Sequence, residues 1–376
     1  MYKLMTPGPT QVRENVRMTR SIKAQNPDID IDFLEFYKDT CDMFSNFFNT
    51  DNEFFILAGE AILGLEAACA SLIEKDDKVL VIDNGIYGRY FKDFVEIYGG
   101  ECTLYSSDYK NTINILELEN FIKNSNINFK CATIVHCDTP SGVLNDVENI
   151  SKMLKKYNIL SIVDSVSGAF GIPLSMGDID ILCLGSQKAL SAPPGITIIG
   201  VSNRAKDIME KRLTPICSYY ANIKLFKDYY QKKWFPYTMP VSDIYAIRKA
   251  IENLVNDKNV FVRHKKIGEA IRKSLLKSGL SLYLESGYSD TVTVINLPEN
   301  VLDDDVISIM RNKYNILITG SFDILKGKVI RIGNMGENAN IGDIYYTLYS
   351  LTKTLNELDV SLNHNIGKVF IDLINE

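Results

Sequence analysis

The chain has 376 residues, 46% of them apolar and 23% charged, and a formal net charge of −6. Such a length and composition suit a globular protein with a large domain and a smaller one. No long basic run is present, which argues against nucleic acid as a partner. No apolar stretch approaches a membrane span, and the opening MYKLMTPGPT lacks the pattern of a signal peptide.

From residue 54 to about 200, short apolar runs alternate with helical patterns. The runs are 54–57, 79–82, 132–135, 160–163, 181–184 and 196–199; amphipathic stretches such as 62–73 and 147–157 lie between them. Strands this apolar have both faces covered, and the alternation predicts a parallel sheet with helices on both sides. Ligands of such sheets bind beyond the carboxyl ends of the strands. Two prolines and three aromatics break the rhythm at 234–240, and a long helical pattern follows from 241 to about 258. The pattern then becomes α+β: a helix over 262–278, a strand over 291–295, a helix over 303–314, strands over 316–319 and 328–332, and a closing helix over 343–358. The expected division is an N-terminal arm (1–20), a large domain (21–258) and a small domain (259–376).

The seven cysteines (41, 69, 102, 131, 137, 183 and 217) form no CxxC pair, and several lie in apolar runs. They read as reduced core thiols of a cytoplasmic protein. The three histidines (136, 264, 364) are scattered, so no metal site is expected.

Four strand ends carry polar residues of definite type. Gly59-Glu60-Ala61 joins a strand to a helix, where free backbone N–H groups would suit an anion such as phosphate. A simple tight turn explains it as well, and Glu60 would repel phosphate if turned inward. In Asn84-Gly85-Ile86-Tyr87-Gly88, Tyr87 could stack on a flat ligand or cap the core. Asp164 directly follows a buried strand and could cap the next segment or pair with a buried cationic nitrogen. Lys188 follows the next strand, with no other charge between Asp180 and Arg204. Those surroundings would lower its pKa and favour an amine nucleophile. Taken together the four suit a pyridoxal phosphate site, with a lysine for the Schiff base, an aspartate for the pyridine nitrogen, a helix N-terminus for the phosphate and an aromatic for the ring face.

The motifs also resemble those of the class V aminotransferases of fold type I, in the alanine–glyoxylate/serine–pyruvate aminotransferase group. The resemblance runs nearly the whole chain. It is carried by Thr6-Pro7-Gly8-Pro9-Thr10, Leu65-Glu66-Ala67-Ala68, Asn84-Gly85-Ile86-Tyr87-Gly88, Thr139-Pro140-Ser141-Gly142-Val143-Leu144, Val163-Asp164-Ser165-Val166, Gly185 to Gly195 and Val329-Ile330-Arg331-Ile332-Gly333. It implies an α/β fold whose large domain holds a mainly parallel, seven-stranded sheet covered by helices, with a smaller C-terminal α+β domain. It implies pyridoxal 5′-phosphate bonded to Lys188, with Asp164 on the ring nitrogen, Tyr87 on the ring face and Thr139 on the ring hydroxyl. Gly59, Glu60, Ala61 and Gln187 would hold the phosphate. Tyr237 and Thr238 would be lent to it by the neighbouring subunit of a homodimer. Gly8 and Arg331 would meet the substrate, Arg331 by clamping its carboxylate.

The implied activity is ping-pong transfer of an amino group from a small amino acid such as alanine or serine to a 2-keto acid such as glyoxylate or pyruvate. Alternatives on the same fold are a ureidoglycine–glyoxylate or phosphonate aminotransferase, a lyase, or a desulfurase. The last needs a mobile cysteine, and none follows Cys217. A non-enzymatic module of this fold would be expected to lack Lys188 or Asp164. The segment Gln25-Asn26-Pro27-Asp28, expected near the substrate entrance, departs from the family pattern. His136 is expected to serve packing or hydrogen bonding. Tyr219, Tyr220, Tyr229, Tyr230, Trp234 and Phe235 are expected in subunit contacts.

Overall fold

The computed structural model describes residues 2–24 and 26–376. A two-residue strand, β1 (Lys3–Leu4), precedes the seven that build the main sheet: β2 (Glu53–Ala58), β3 (Lys78–Asp83), β4 (Glu101–Ser106), β5 (Cys131–Val135), β6 (Leu160–Asp164), β7 (Ile181–Gly185) and β8 (Ile196–Val201). Their order is β2-β8-β7-β6-β5-β3-β4. β8 runs antiparallel to both its neighbours and the other pairs are parallel. Every residue of β5, β6 and β7 is buried, as their mostly apolar sequences require of strands sandwiched between helices.

Helix Ala61–Leu72 lies against β7 and β8. Its close approach depends on Gly64, where a Cβ would sit 2.4 Å from the Thr197 side chain. The contact brings the N-terminus of this helix to the carboxyl ends of the strands.

A second, smaller core surrounds an antiparallel sheet of β9 (Val292–Asn296), β11 (Thr319–Gly320) and β12 (Val329–Gly333), in the order β11-β12-β9. Between β9 and β11 in the chain lies β10 (Ile316–Leu317), which pairs in parallel with β1. Met5 is buried in this second core, so the start of the chain is sewn to the C-terminal part.

Several elements have no counterpart in the expected order, among them two helices and a strand of the main sheet. Helix Ile31–Phe47 buries Phe33, Leu34, Tyr37, Cys41 and Phe44, and the Asp30 side chain caps it. Its apolar residues recur at helical spacing, so the signal was in the sequence. β4 sits at the sheet edge, half-exposed, and carries no apolar run to mark it. Helix Ile366–Asn375 follows Ile341–Glu357, so the helix expected to close the chain is followed by another. None of the described helices is long and apolar enough to cross a membrane.

The aromatic cluster also divides differently from expectation. Tyr229 and Phe235 are core residues stacked at 5.7 Å, with Phe235 edge-on to Tyr37 at 4.9 Å. Tyr219, Tyr220 and Trp234 are exposed.

Candidate active site

A cavity of about 370 Å³ opens at the carboxyl ends of the parallel strands, lined by Gly8, Glu60, Ala61, Tyr87, Thr139, Asp164, Gln187 and Lys188 among others. Each sheet contribution sits just past a strand end: Glu60 after β2, Tyr87 after β3, Thr139 after β5, Asp164 at the end of β6, and Gln187 and Lys188 after β7. Residues separated by up to 128 positions in the chain thus meet because parallel strands end on one side.

Lys188 is half-buried, and its Nζ donates to the Pro7 carbonyl at 2.7 Å. Burial, and then the charge of Arg331, push its pKa down to about 8, against the pull of Asp164. The Asp164 carboxyl is pushed up to about 7 by burial, although the Val166 amide at 2.9 Å and Lys188 favour its charged form. Asp164 thus caps the following turn, as one sequence reading expected, and it also faces the cavity. His136 Nδ1 pairs with Ser165 Oγ at 2.7 Å, and its backbone N–H donates to the Asp164 carbonyl. It supports the end of β6 by hydrogen bonding.

Tyr87 is half-buried and meets Phe322 edge-on at 5.8 Å. Its backbone N–H donates to Asp138 Oδ1 at 2.8 Å, and the Ser141 hydroxyl donates to Asp138 Oδ2 at 2.6 Å. Asp138 was not singled out from the sequence, yet it carries the same signal as Asp164, a carboxylate just past a buried strand. Ser167, hydrogen-bonded to the Thr139 hydroxyl and lining the cavity, was missed as well.

Arg331 does not line the cavity wall but stands behind Thr139. Its Nε donates to the Gly320 carbonyl at 2.7 Å and its Nη1 to the Thr139 carbonyl at 3.2 Å; Nη2 takes part in neither bond. Ile330 and Ile332 enter the smaller core, so strand alternation turns Arg331 towards the large domain.

Gly59 is set back from the cavity, its carbonyl accepting from Thr197 Oγ1 at 3.1 Å. Tyr237 and Thr238 also stand outside it. Tyr237 stacks on Tyr220 at 4.4 Å, and the Thr238 hydroxyl donates to Asp28 at 3.3 Å. Gln25 lies outside the described residues.

Fold and cavity together define a pyridoxal phosphate enzyme of fold type I. The model of the class V aminotransferases matches residues 20–321, and the chain belongs to that family. It is 31% identical to the pyridoxamine–pyruvate transaminase of Mesorhizobium japonicum, over 83% of this chain and 81% of that one. It is 30% identical to the alanine–glyoxylate aminotransferase of Callithrix jacchus, over 80% and 74%. The solved ureidoglycine–glyoxylate aminotransferase of Bacillus subtilis superposes with a TM-score of 0.96 at 25% identity, covering 100% of this chain and 98% of that one. The protein is a transaminase, and the cofactor of its family is pyridoxal 5′-phosphate. The donor set fits the ring, with an amine of lowered pKa, a buried carboxyl, a half-buried aromatic and a hydroxyl around one cavity. At the helix N-terminus bordering the cavity, the Glu60 carboxylate accepts from the Ile62 N–H.

Proposed function

We propose that the protein transfers the amino group of a small amino acid, such as alanine or serine, to a 2-keto acid such as glyoxylate or pyruvate. The observation that carries this is Lys188 and Asp164 lining one cavity, with Arg331 close enough to shift the lysine's pKa. Pyridoxal phosphate, when bound, supplies the electron sink for breaking bonds at the substrate α-carbon. Lys188 Nζ, partly neutral near physiological pH, acts as nucleophile and carries the proton leaving that carbon. Asp164 would hold a proton at the ring nitrogen. Tyr87 would pack on the ring face, and Thr139 would orient the ring through its hydroxyl. Arg331 pairs its guanidinium with the substrate carboxylate, a geometry suited to a planar donor.

The working unit in this reading is a homodimer in which Tyr237 and Thr238 reach the neighbour's phosphate end, with exposed Tyr219, Tyr220 and Trp234 beside them at the contact. Its place is the cytoplasm, in keeping with seven free thiols.

The test is a half-reaction screen. Holoenzyme is mixed with each amino acid in turn, and conversion of the ring from aldehyde to amine is followed by absorbance. Alanine or serine should convert it, and glyoxylate or pyruvate should restore it. Product release that needs no keto acid would make the protein a lyase. Mixing Lys188→Ala with Thr238→Ala chains tests the dimer, since shared sites would change the activity recovered.

A further inference from the structure

The cavity's phosphate end has the wrong chemistry for a phosphate ester. Glu60 caps helix Ala61–Leu72 with its own side chain, one carboxylate oxygen accepting from the Ile62 N–H at 3.0 Å. The other oxygen accepts from Gln187 Nε2. A backbone donor and a side-chain donor that an anion would use at a helix N-terminus are thus already bonded to a carboxylate. Thr197 Oγ1 donates to the carbonyls of Gly59 and Glu60 at 3.1 and 2.8 Å, fixing the turn from β8.

Gln187 carries the second observation. Its Nε2 must face the carboxylate, so the amide can be placed in only one sense, and its Oε1 is left as an acceptor. That oxygen is buried with no partner, and the residue is 5% exposed. Lys188, which belongs to the ring aldehyde, is the one cation among the described residues lining the cavity. The phosphate end therefore offers two acceptors, one of them a carboxylate. A phosphate ester brings only acceptors and like charge, whereas a hydroxymethyl group brings a donor.

We propose that unphosphorylated pyridoxamine and pyridoxal pass through this site as substrate and product, the 5′-hydroxyl donating to Glu60 or Gln187, and that Glu60 selects them over their phosphate esters. This rests on the transaminase reading given above. Pyridoxamine's aminomethyl carbon is oxidised by two electrons to an aldehyde. Its amino group passes to the keto carbon of a 2-keto acid, which is reduced to the amino acid. The keto oxygen leaves as water, and a second water supplies the aldehyde oxygen.

The full-length protein, freed of bound ring, is titrated with pyridoxal and with pyridoxal phosphate while the absorbance of the lysine adduct is followed. Pyridoxal should bind at least about tenfold tighter, the scale of one like-charge contact near a protein surface. Glu60→Gln should shift the ratio at least about tenfold towards the ester. Glu60→Ser, which keeps a helix cap, should shift it the same way and guards against misfolding of the first variant. Pyridoxamine mixed with pyruvate should yield free pyridoxal over many turnovers. Tighter binding of the ester by the unaltered protein, or a ratio that neither variant moves, overturns the proposal and leaves amino acid transamination standing. No adduct with either ring overturns both.

Discussion

The Nζ of Lys188 donates to the carbonyl of Pro7 at 2.7 Å, so the start of the chain closes directly on this amine. Gly8 makes this possible. Its φ is +99°, and a Cβ there would lie 2.4 Å from Lys188 Cδ. Gly8→Ala should strain the backbone by about 1–3 kcal/mol and displace the lysine. Capture of pyridoxal, followed by stopped-flow absorbance, should slow at least about tenfold, the factor set by roughly 1.4 kcal/mol. Capture at the unaltered rate would mean that the arm yields.

Reaction of Lys188 needs its neutral amine. With its pKa at about 8, the rate of adduct formation in ring-free protein should rise as pH climbs through that value. The positive charge of Arg331 disfavours a second positive charge nearby, so Arg331→Gln should move the midpoint upward. The same variant should raise KM for carboxylate substrates while leaving binding of the ring itself less affected. A midpoint that stays in place would separate Arg331 electrostatically from the lysine.

Asp164→Asn keeps the size of the side chain and removes the charge that would hold a proton on the ring nitrogen. The fold should survive, because the Val166 N–H can still donate to an amide oxygen. Turnover should fall by about 10²- to 10⁴-fold, the usual range for loss of a positioned proton-holding group, with a smaller change in KM. Single-turnover kinetics with alanine would report it.

His264 offers a pH test of stability away from the cavity. Its Nδ1 bonds the Val260 carbonyl at 2.6 Å, and its Nε2 accepts from the Gly336 N–H at 2.9 Å, tying helix Val260–Lys277 to the turn after β12. Burial pushes its pKa down to about 4, and His136 is pushed down to about 4 as well. Below about pH 6.5 the unfolded chain takes up protons that the folded chain refuses, so these two groups erode stability as pH falls from 6.5 towards 4. Each accounts for about 3 kcal/mol across that window. Asp164, raised to about 7, works in the opposite sense and gains stability for the fold as pH falls from about 7 towards its ordinary range. Urea unfolding at pH 7 and pH 5 should show His264→Gln losing less stability on acidification than the unaltered protein. An equal loss would place the acid sensitivity elsewhere.

The main sheet was legible because β5, β6 and β7 are mostly apolar runs, a local property that survives without knowledge of neighbours. Lys188 and Asp164 were legible for the same reason: a charge just past such a run needs an explanation wherever the chain goes. Asp138 stood in the same position and could have been found. Local pattern said nothing of β4, whose half-exposed edge position calls for no apolar stretch, nor of Tyr229 and Phe235 being core while neighbouring Trp234 is exposed. Sequence by itself thus determined the kind of sheet and the lysine and carboxyl at its strand ends, because burial tendency is written residue by residue. Only the tertiary structure decided that Pro7 would meet Lys188, that Arg331 would stand behind Thr139, and that the Glu60 carboxylate would take the Gln187 amide. Those partners lie 127 to 192 positions apart, and contacts at that range depend on strand order and helix packing summed over the whole chain.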